Sequence, residues 1–139
     1  VNAAVGLLAT GGSTNHAIHL PAIARAAGIR IDWEDLSRLS SAVPQITRVY
    51  PSGSEDVNAF NRVGGMPTVI AELCDAGLLH QDIMTISRGG FSDYARRAIV
   101  EEGQLEYVDA KPSLDRDILR DVAQPFREDG GMKLIQKRV

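Results

Sequence analysis

Thr10-Gly11-Gly12-Ser13-Thr14-Asn15-His16 joins two apolar segments and sets the reading of the whole chain. Before it runs Ala3-Ala4-Val5-Gly6-Leu7-Leu8-Ala9. After it Ala17, Ile18, Leu20, Ile23, Ala24 and Ala27 recur at helical spacing. Two adjacent glycines allow a sharp turn and a close approach of backbone to a ligand. Ser13 or Thr14 is suited to cap the helix that follows. The leading amides of that helix, unpaired at the positive end of its dipole, make a seat for a phosphate or carboxylate. The candidate substrate-binding residues are therefore Gly11, Gly12, Ser13, Thr14, Asn15 and His16. The same residues also fit a turn that does no more than start a helix, because short glycine motifs recur widely. The stretch lacks the third spaced glycine of a dinucleotide fingerprint and the Gly-Lys-Ser/Thr ending of a P-loop.

Working outward, the spacing predicts a helix from Ser13 to about Ala27, stopped by Gly28 and carrying Pro21, which removes one donor and predicts a kink. Asp32 opens a second helix with acidic residues in its first turn, and Leu36, Leu39 and Val43 face inward. Trp33 is expected to pack that helix on the first. Ile46-Thr47-Arg48-Val49-Tyr50 alternates as a short strand does, and Pro51-Ser52-Gly53 is a turn. Ser54 is expected to cap a short helix broken by Gly64-Gly65. A further helix starts at Pro67, with Val69, Ile70, Leu73 and Ala76 on one stripe, Gly77 at its end and Leu78-Leu79 folding back. Asp82–Ile86 reads as a strand, Ser92–Ile99 as a helix, Glu102-Gly103 as a turn and Leu105–Val108 as a strand. Asp109 to Asp121 is loop-like, with a helical turn from Asp115. Met132-Lys133-Leu134-Ile135 resembles the start of a strand. The fold class expected is α/β and helix-rich.

A chain of 139 residues supports one domain with a real core. Its net charge of -3 shows no global basic bias, which argues against a nucleic-acid partner. No apolar run is long enough to span a bilayer, so no membrane partner is expected. One cysteine, Cys74, makes no internal disulfide and alone holds no zinc or iron–sulfur group; its helical setting makes it a small core residue. Low cysteine use agrees with a reducing cytoplasm. The chain starts inside an apolar segment and stops at a strand-like one, so it reads as a piece of a longer protein.

Other candidates are weaker. His16 and His19 lie three apart on one helix face, but no further ligand joins them and no zinc-protease pattern is present. His16 is placed to meet a substrate, while His19 suits a hydrogen bond within the core. His80 follows the glycine-capped helix and suits its terminal carbonyls. The turns Tyr50–Gly53 and Gly64–Pro67 are placed to line a pocket or to act as plain punctuation. Arg88 beside Gly89-Gly90 is a lone anion clamp at most, and Asp115-Arg116-Asp117 reads as a solvated face.

Several stretches together carry a family resemblance. They are Thr10 to His16 with His19-Leu20, Tyr50-Pro51-Ser52-Gly53, Gly64-Gly65, and Ala76-Gly77-Leu78-Leu79-His80 with Asp82 and Thr85. In this order they resemble the IlvD/Edd dehydratases, over about residues 3 to 133. Ser13-Thr14-Asn15-His16, Ala26-Ala27-Gly28-Ile29, Trp33 and Val49-Tyr50-Pro51 favour the branch acting on 6-phospho-D-gluconate in the Entner–Doudoroff pathway over the dihydroxy-acid branch.

The resemblance implies a cytoplasmic hydro-lyase that removes water from a phosphorylated sugar acid. It implies an iron–sulfur cofactor whose ligands lie upstream of this segment, a serine base downstream, and a homodimer. Cys74 matches none of those ligands. No catalytic or metal-binding residue is then expected within the chain, which alone would be inactive and would work with the remainder of its polypeptide. Residues 1–125 would be the later part of the family's N-terminal α/β domain, and residues 126–139 the start of the connection to the next. Gln136–Val139 and Ser87-Arg88 depart from the family's usual residues. The alternatives are a dihydroxy-acid or sugar-acid dehydratase of the same family, and a non-catalytic anion-binding module.

Overall fold

The computed structural model describes residues 1–133 and 135. The uncharged run before the glycine turn forms helix α1, Asn2–Thr10. Ala4, Val5, Leu7, Leu8 and Ala9 are all buried, which is how a helix apolar on most sides behaves: it becomes the centre of the core. Around it lie α2 (Thr14–Ala26), α3 (Trp33–Ser40) and α5 (Gly65–Asp75), with the short α4 (Val57–Arg62) leading into α5. A 3₁₀ turn, Phe91–Ala95, leads into the antiparallel hairpin of β1 (Arg96–Glu101) and β2 (Gln104–Asp109). The architecture is mixed α/β and rich in helix.

The fully buried centre joins Leu8 of α1, Val69 and Leu73 of α5, Ile46 and Leu119. Ile46 belongs to the stretch expected as a strand, but it forms isolated bridges instead. Gln45 pairs with Arg127, Thr47 with Leu119 and Val49 with Glu55. Its backbone partners change at almost every step: the Ile46 amide donates to Ala9, and the Ile46 carbonyl accepts from Arg120. No one neighbour runs alongside long enough to build a ladder. The alternation in sequence reflects a buried extended segment threaded between loops.

Several ends follow their local chemistry. Ser13 and Asp32 cap α2 and α3, and α2 runs unbroken through Pro21. The α5 end is a Schellman motif: Gly77 has φ 69°, its amide donates to Cys74, and the Leu78 amide donates to Leu73. Cys74 packs half-buried against the core as expected. Glu102-Gly103 turns the hairpin as read, and Asp115 starts a helical turn.

Other expectations are corrected. Asp56, not Ser54, caps α4, because Glu55 is held by its bridge to Val49. The helix expected from Pro67 already starts at Gly65. Asp82–Ile86 is irregular, with Met84 and Ile86 fully exposed; among the described residues no second strand pairs with its backbone. The helix expected over Ser92–Ile99 is a 3₁₀ turn followed by β1, since pairing with β2 outweighs the local propensity. Trp33, Ile18 and Ile23 point outward, at 51%, 61% and 65% exposure. Only Ala17 and Ala24 of α2 are buried, because one neighbouring surface covers one narrow stripe. The strand start at Met132–Ile135 is absent from Met132, Lys133 and Ile135, and Leu134 lies outside the described residues, as do Gln136–Val139.

Candidate functional site

The turn at the head of α2 is closed by its own residues. Gly11 takes the left-handed conformation, φ 68°, that ends α1. Ser13 then adopts extended backbone, and its Oγ accepts from the Asn15 amide at 3.2 Å. In return the Ser13 amide donates to Nδ1 of His16 at 3.2 Å, so His16 fills the place that Glu or Gln takes in a usual capping box. A ring nitrogen that accepts carries no proton. The other ring nitrogen, Nε2, has no hydrogen-bond partner among the described residues.

This corrects the picture of a row of open amides. The Asn15 amide goes to the Ser13 hydroxyl and the His16 amide to the Ser13 carbonyl. Among the described residues, the amides of Gly12 and Thr14, the Thr14 hydroxyl, the Asn15 carboxamide and Nε2 of His16 remain without a hydrogen-bond partner. Thr14, Asn15 and His16 are exposed and Ser13 is half-buried. The set is made of donors and neutral polar groups, and it carries no carboxylate.

Behind the turn stands a support that the sequence showed only in pieces. The Thr10 carbonyl accepts from Thr47 Oγ1 at 3.0 Å and from Ser52 Oγ at 3.4 Å. Gln45, 4% exposed, donates to the Thr47 carbonyl and to Ser52 Oγ. Gly131 donates to the Leu8 carbonyl at 3.0 Å and lies against the backbone of Gly11. A side chain at Gly11 would press on Ser52 and on Gln45 Nε2. One at Gly131 would press on Gly11 itself. The turn Tyr50–Gly53, which contains a cis Tyr50–Pro51 bond, thus meets the glycine turn directly. The signals were present as Ser52 in its turn, Thr47 in its alternating stretch and the Gly130-Gly131 pair. Nothing in their spacing said that they converge.

His16 and Thr10 also border a cavity of about 450 Å³, completed by Leu7, Leu20, Met66 and Phe91 among others. A larger one, about 730 Å³, lies between α1, α2 and α3 and is lined mainly by aliphatic side chains such as Leu20, Ile23, Ile31 and Leu39. It does not include the turn, and Arg30, Arg38 and Asp35 stand among its aliphatic walls, Arg38 paired with Asp35. The turn is the candidate because it gathers open donors in adjacent residues, not because of the cavity beside it, whose walls are also mainly apolar. Met66, from the Gly64–Pro67 turn, is a lining residue. His19 is exposed, not in the core. His80 holds Asn2 through its backbone, at 2.8 and 2.9 Å, while the Cys74 carbonyl at the end of α5 accepts from the neighbouring Gln81 side chain at 3.4 Å. Arg88 is exposed.

Cys74 is the one cysteine, and burial, with Asp75 second, pushes its thiol pKa up, away from the thiolate that a metal requires. Among the described residues no three His, Cys, Asp or Glu side chains group as metal ligands. These residues do not make an iron–sulfur site. No helix among them is long and apolar enough to cross a membrane.

A helix-centred α/β body with a capped glycine turn facing outward is the setting in which the family comparison falls. Residues 1–94 match the family described as dihydroxy-acid/6-phosphogluconate dehydratase N-terminal, and the chain belongs to that family. It is similar to the phosphogluconate dehydratase of Zymomonas mobilis, 51% identical over 98% of this chain and 23% of that protein. The phosphogluconate dehydratase of Pseudomonas aeruginosa is 47% identical over 98% of this chain and 22% of its own length. The dihydroxy-acid dehydratase of Haloarcula marismortui is 38% identical, over 96% and 22%. The chain therefore spans under a quarter of the length of these curated relatives.

Proposed function

We propose that this chain is part of a hydro-lyase that dehydrates 6-phospho-D-gluconate to 2-dehydro-3-deoxy-6-phosphogluconate. One observation carries the choice of substrate: similarity is higher to relatives named phosphogluconate dehydratase than to one named dihydroxy-acid dehydratase. In this reading Gly11, Gly12, Ser13, Thr14, Asn15 and His16 border the substrate. Ser13 acts by holding the turn. The Thr14 amide and hydroxyl, the Asn15 carboxamide and Nε2 of His16 face the anion. Neutral donors and a helix N-terminus attract an anion without a fixed positive charge.

The reaction breaks the bond from carbon to a hydroxyl oxygen, which leaves as water, and removes the proton beside the carboxylate. The resulting enol becomes the 2-keto acid. No residue of this chain is assigned to either event. The iron–sulfur cofactor expected of the whole enzyme, and its base, belong to polypeptide outside this chain. Residues 1–125 form part of its N-terminal α/β domain, and 126–139 lead toward the next. The whole enzyme works in the cytoplasm as a homodimer.

The test compares the isolated chain with the full-length gene product, reconstituted with iron and sulfide, on 6-phosphogluconate and on dihydroxyisovalerate. We expect dehydration only by the full-length product, with phosphogluconate preferred. Activity of the isolated chain overturns the placing of the chemistry, and preference for dihydroxyisovalerate overturns the substrate. An inactive reconstituted product favours a non-catalytic anion-binding module. Thr14→Val and Asn15→Ala in the full-length product are expected to raise KM with little change in folding. Unchanged kinetics return the turn to a purely structural role.

A further inference from the structure

Segments distant in sequence close on the end of α1, and one of them touches the glycine turn itself. The last carbonyls of a helix lack partners within it. Here the Ala9 carbonyl accepts from the Ile46 amide at 2.9 Å, and the Thr10 carbonyl accepts from Thr47 and Ser52. The Leu8 carbonyl accepts twice, from the Gly11 amide at 3.3 Å and from the Gly131 amide at 3.0 Å. One oxygen thus holds both the residue that starts the turn and a residue near the other end of the chain.

The strap that carries Gly131 is anchored around that contact. The Gln45 amide donates to the Arg127 carbonyl at 3.0 Å, and the Phe126 amide donates to the Gln45 carbonyl at 2.9 Å. The Gly130 amide donates at 2.7 Å to the carbonyl of Ser40, the last residue of α3. Met132 packs against both apolar clusters of the core. Gly131 cannot retreat from Gly11 without loosening one of these anchors.

Gly131 does not share the left-handed backbone of Gly11. What it needs is room. A Cβ there would overlap the Cα of Gly11 and lie 3.1 Å from its carbonyl carbon and 3.2 Å from its nitrogen. All three are backbone atoms, so no side chain can swing aside. The two segments must part by roughly 1 Å to restore ordinary contact. The carbonyl carbon of Gly11 and the amide of Gly12 belong to one rigid peptide plane. That amide is among the donors of the turn that stay open among the described residues. Whatever moves Gly11 re-aims the Gly12 N–H and carries Ser13 to His16 with it. All of these contacts are internal, and none depends on an outer face being uncovered.

We infer that Gly131 is a positioning residue for the substrate turn: having no side chain, it lets the strap seat against Gly11 and fixes the direction in which the Gly12 amide meets the anion. This rests on the reading of Gly11 to His16 as bordering the substrate, and it adds a residue outside the turn that aims the turn's donors. A misplacement of about 1 Å can cost a binding or catalytic constellation about a hundredfold.

The test uses the full-length gene product reconstituted with iron and sulfide. Gly131→Ala is expected to raise KM for 6-phosphogluconate by about tenfold, with kcat changed by less than about threefold. Val69→Ala, a truncation at a fully buried position of α5, controls for lost stability alone and is expected to keep the wild-type KM. Thr14→Val is expected to raise KM in the wild-type background but to add little to Gly131→Ala, because the turn is already misplaced. A KM unchanged by Gly131→Ala while Thr14→Val raises it overturns this inference and leaves the substrate-facing turn standing. A KM raised as much by Val69→Ala, or effects of Gly131→Ala and Thr14→Val that simply multiply, overturns it too. A KM indifferent to Thr14→Val removes the reading of the turn, and this inference with it. Where Gly131→Ala does not fold, hydrogen exchange of the unsubstituted protein decides. There 6-phosphogluconate is expected to slow exchange over residues 128–133 together with residues 10–16, since coupling between the two is reciprocal. Protection of 10–16 alone overturns the inference.

Discussion

Replacing Gly11 by alanine tests the packing behind the candidate site, with Gly28→Ala as its control. Both glycines have left-handed backbone, φ 68° and 75°. Each alanine therefore carries a conformational cost of about 1–2 kcal/mol, partly offset by about 0.4–1 kcal/mol from a less flexible unfolded chain. The two differ in what a Cβ meets. At Gly28 there is nothing within 4 Å. At Gly11 it lies 2.6 Å from Gln45 Nε2 and 2.8 Å from Ser52 Cβ, and closer still to Ser52 Oγ. Gln45 is buried and hydrogen-bonded to Thr47 and Ser52, so it has little room to yield. Overpacking of this kind adds about 1–3 kcal/mol. Gly28→Ala is thus expected to cost about 1 kcal/mol and Gly11→Ala about 2–4 kcal/mol. For a domain of this size the gap corresponds to about 3–10 °C in Tm. The assay is urea unfolding followed by far-UV circular dichroism, with m-values compared so that only midpoints report stability. Equal destabilisation by the two alanines would refute the close contact between the glycine turn and residues 45–52, and with it the bracing of the turn's open polar groups.

Three further outcomes are expected. Leu8→Ala, at a fully buried position, costs about 2–5 kcal/mol in the same unfolding assay, whereas Ile18→Ala, at 61% exposure, stays within about 0.5 kcal/mol. Lys111 ties its loop to α5 through Asp75 at 2.7 Å and the buried Glu72 at 3.2 Å. Asp75 first and then Glu72 raise its pKa above the ordinary lysine value of 10.5. A raised folded pKa means that the stabilisation is complete below 10.5 and fades as pH climbs through the folded value. Lys111→Met is therefore expected to unfold at lower urea at pH 8, by about 1–2 kcal/mol, with the difference from wild type shrinking at the alkaline end. A difference that grows with pH contradicts the pairing. Cys74, with its thiol pushed up by burial, should react slowly with a thiol reagent at neutral pH and quickly once urea unfolds the chain. Rapid labelling of the folded chain would contradict its packing against the core.

Much of the helical framework was legible because its signals are local. Ser13, Asp32 and Gly77 mark helix ends through bonds to residues at most a few positions away. The hairpin turn was legible at Glu102-Gly103, but β1 beside it read as helix, since its strand character depends on β2. The stretch 45–49 failed in the opposite sense: it alternates like a strand but finds a new partner at almost every residue. Within the candidate site, the glycine turn and its serine cap were legible. The use of His16 Nδ1 as a cap acceptor was not, because histidine at that position carries no standard capping signature. The convergence of Thr47, Ser52 and Gly131 on Thr10 and Gly11 joins residues 37 to 120 positions apart in the chain, beyond the reach of any spacing rule.

By itself the sequence determined the family, the helix-rich class, and the place where a tight glycine turn hands over to a capped helix. Each of these is written in short-range chemistry: hydroxyls that cap, glycines that accept left-handed backbone, and apolar residues at helical spacing. Only the tertiary structure decided which apolar residues lie inside, which amides of the turn remain open, and which distant side chains brace it. Burial and long-range hydrogen bonds depend on where other segments arrive, and a pattern that demands an inner face does not say which neighbour will cover it.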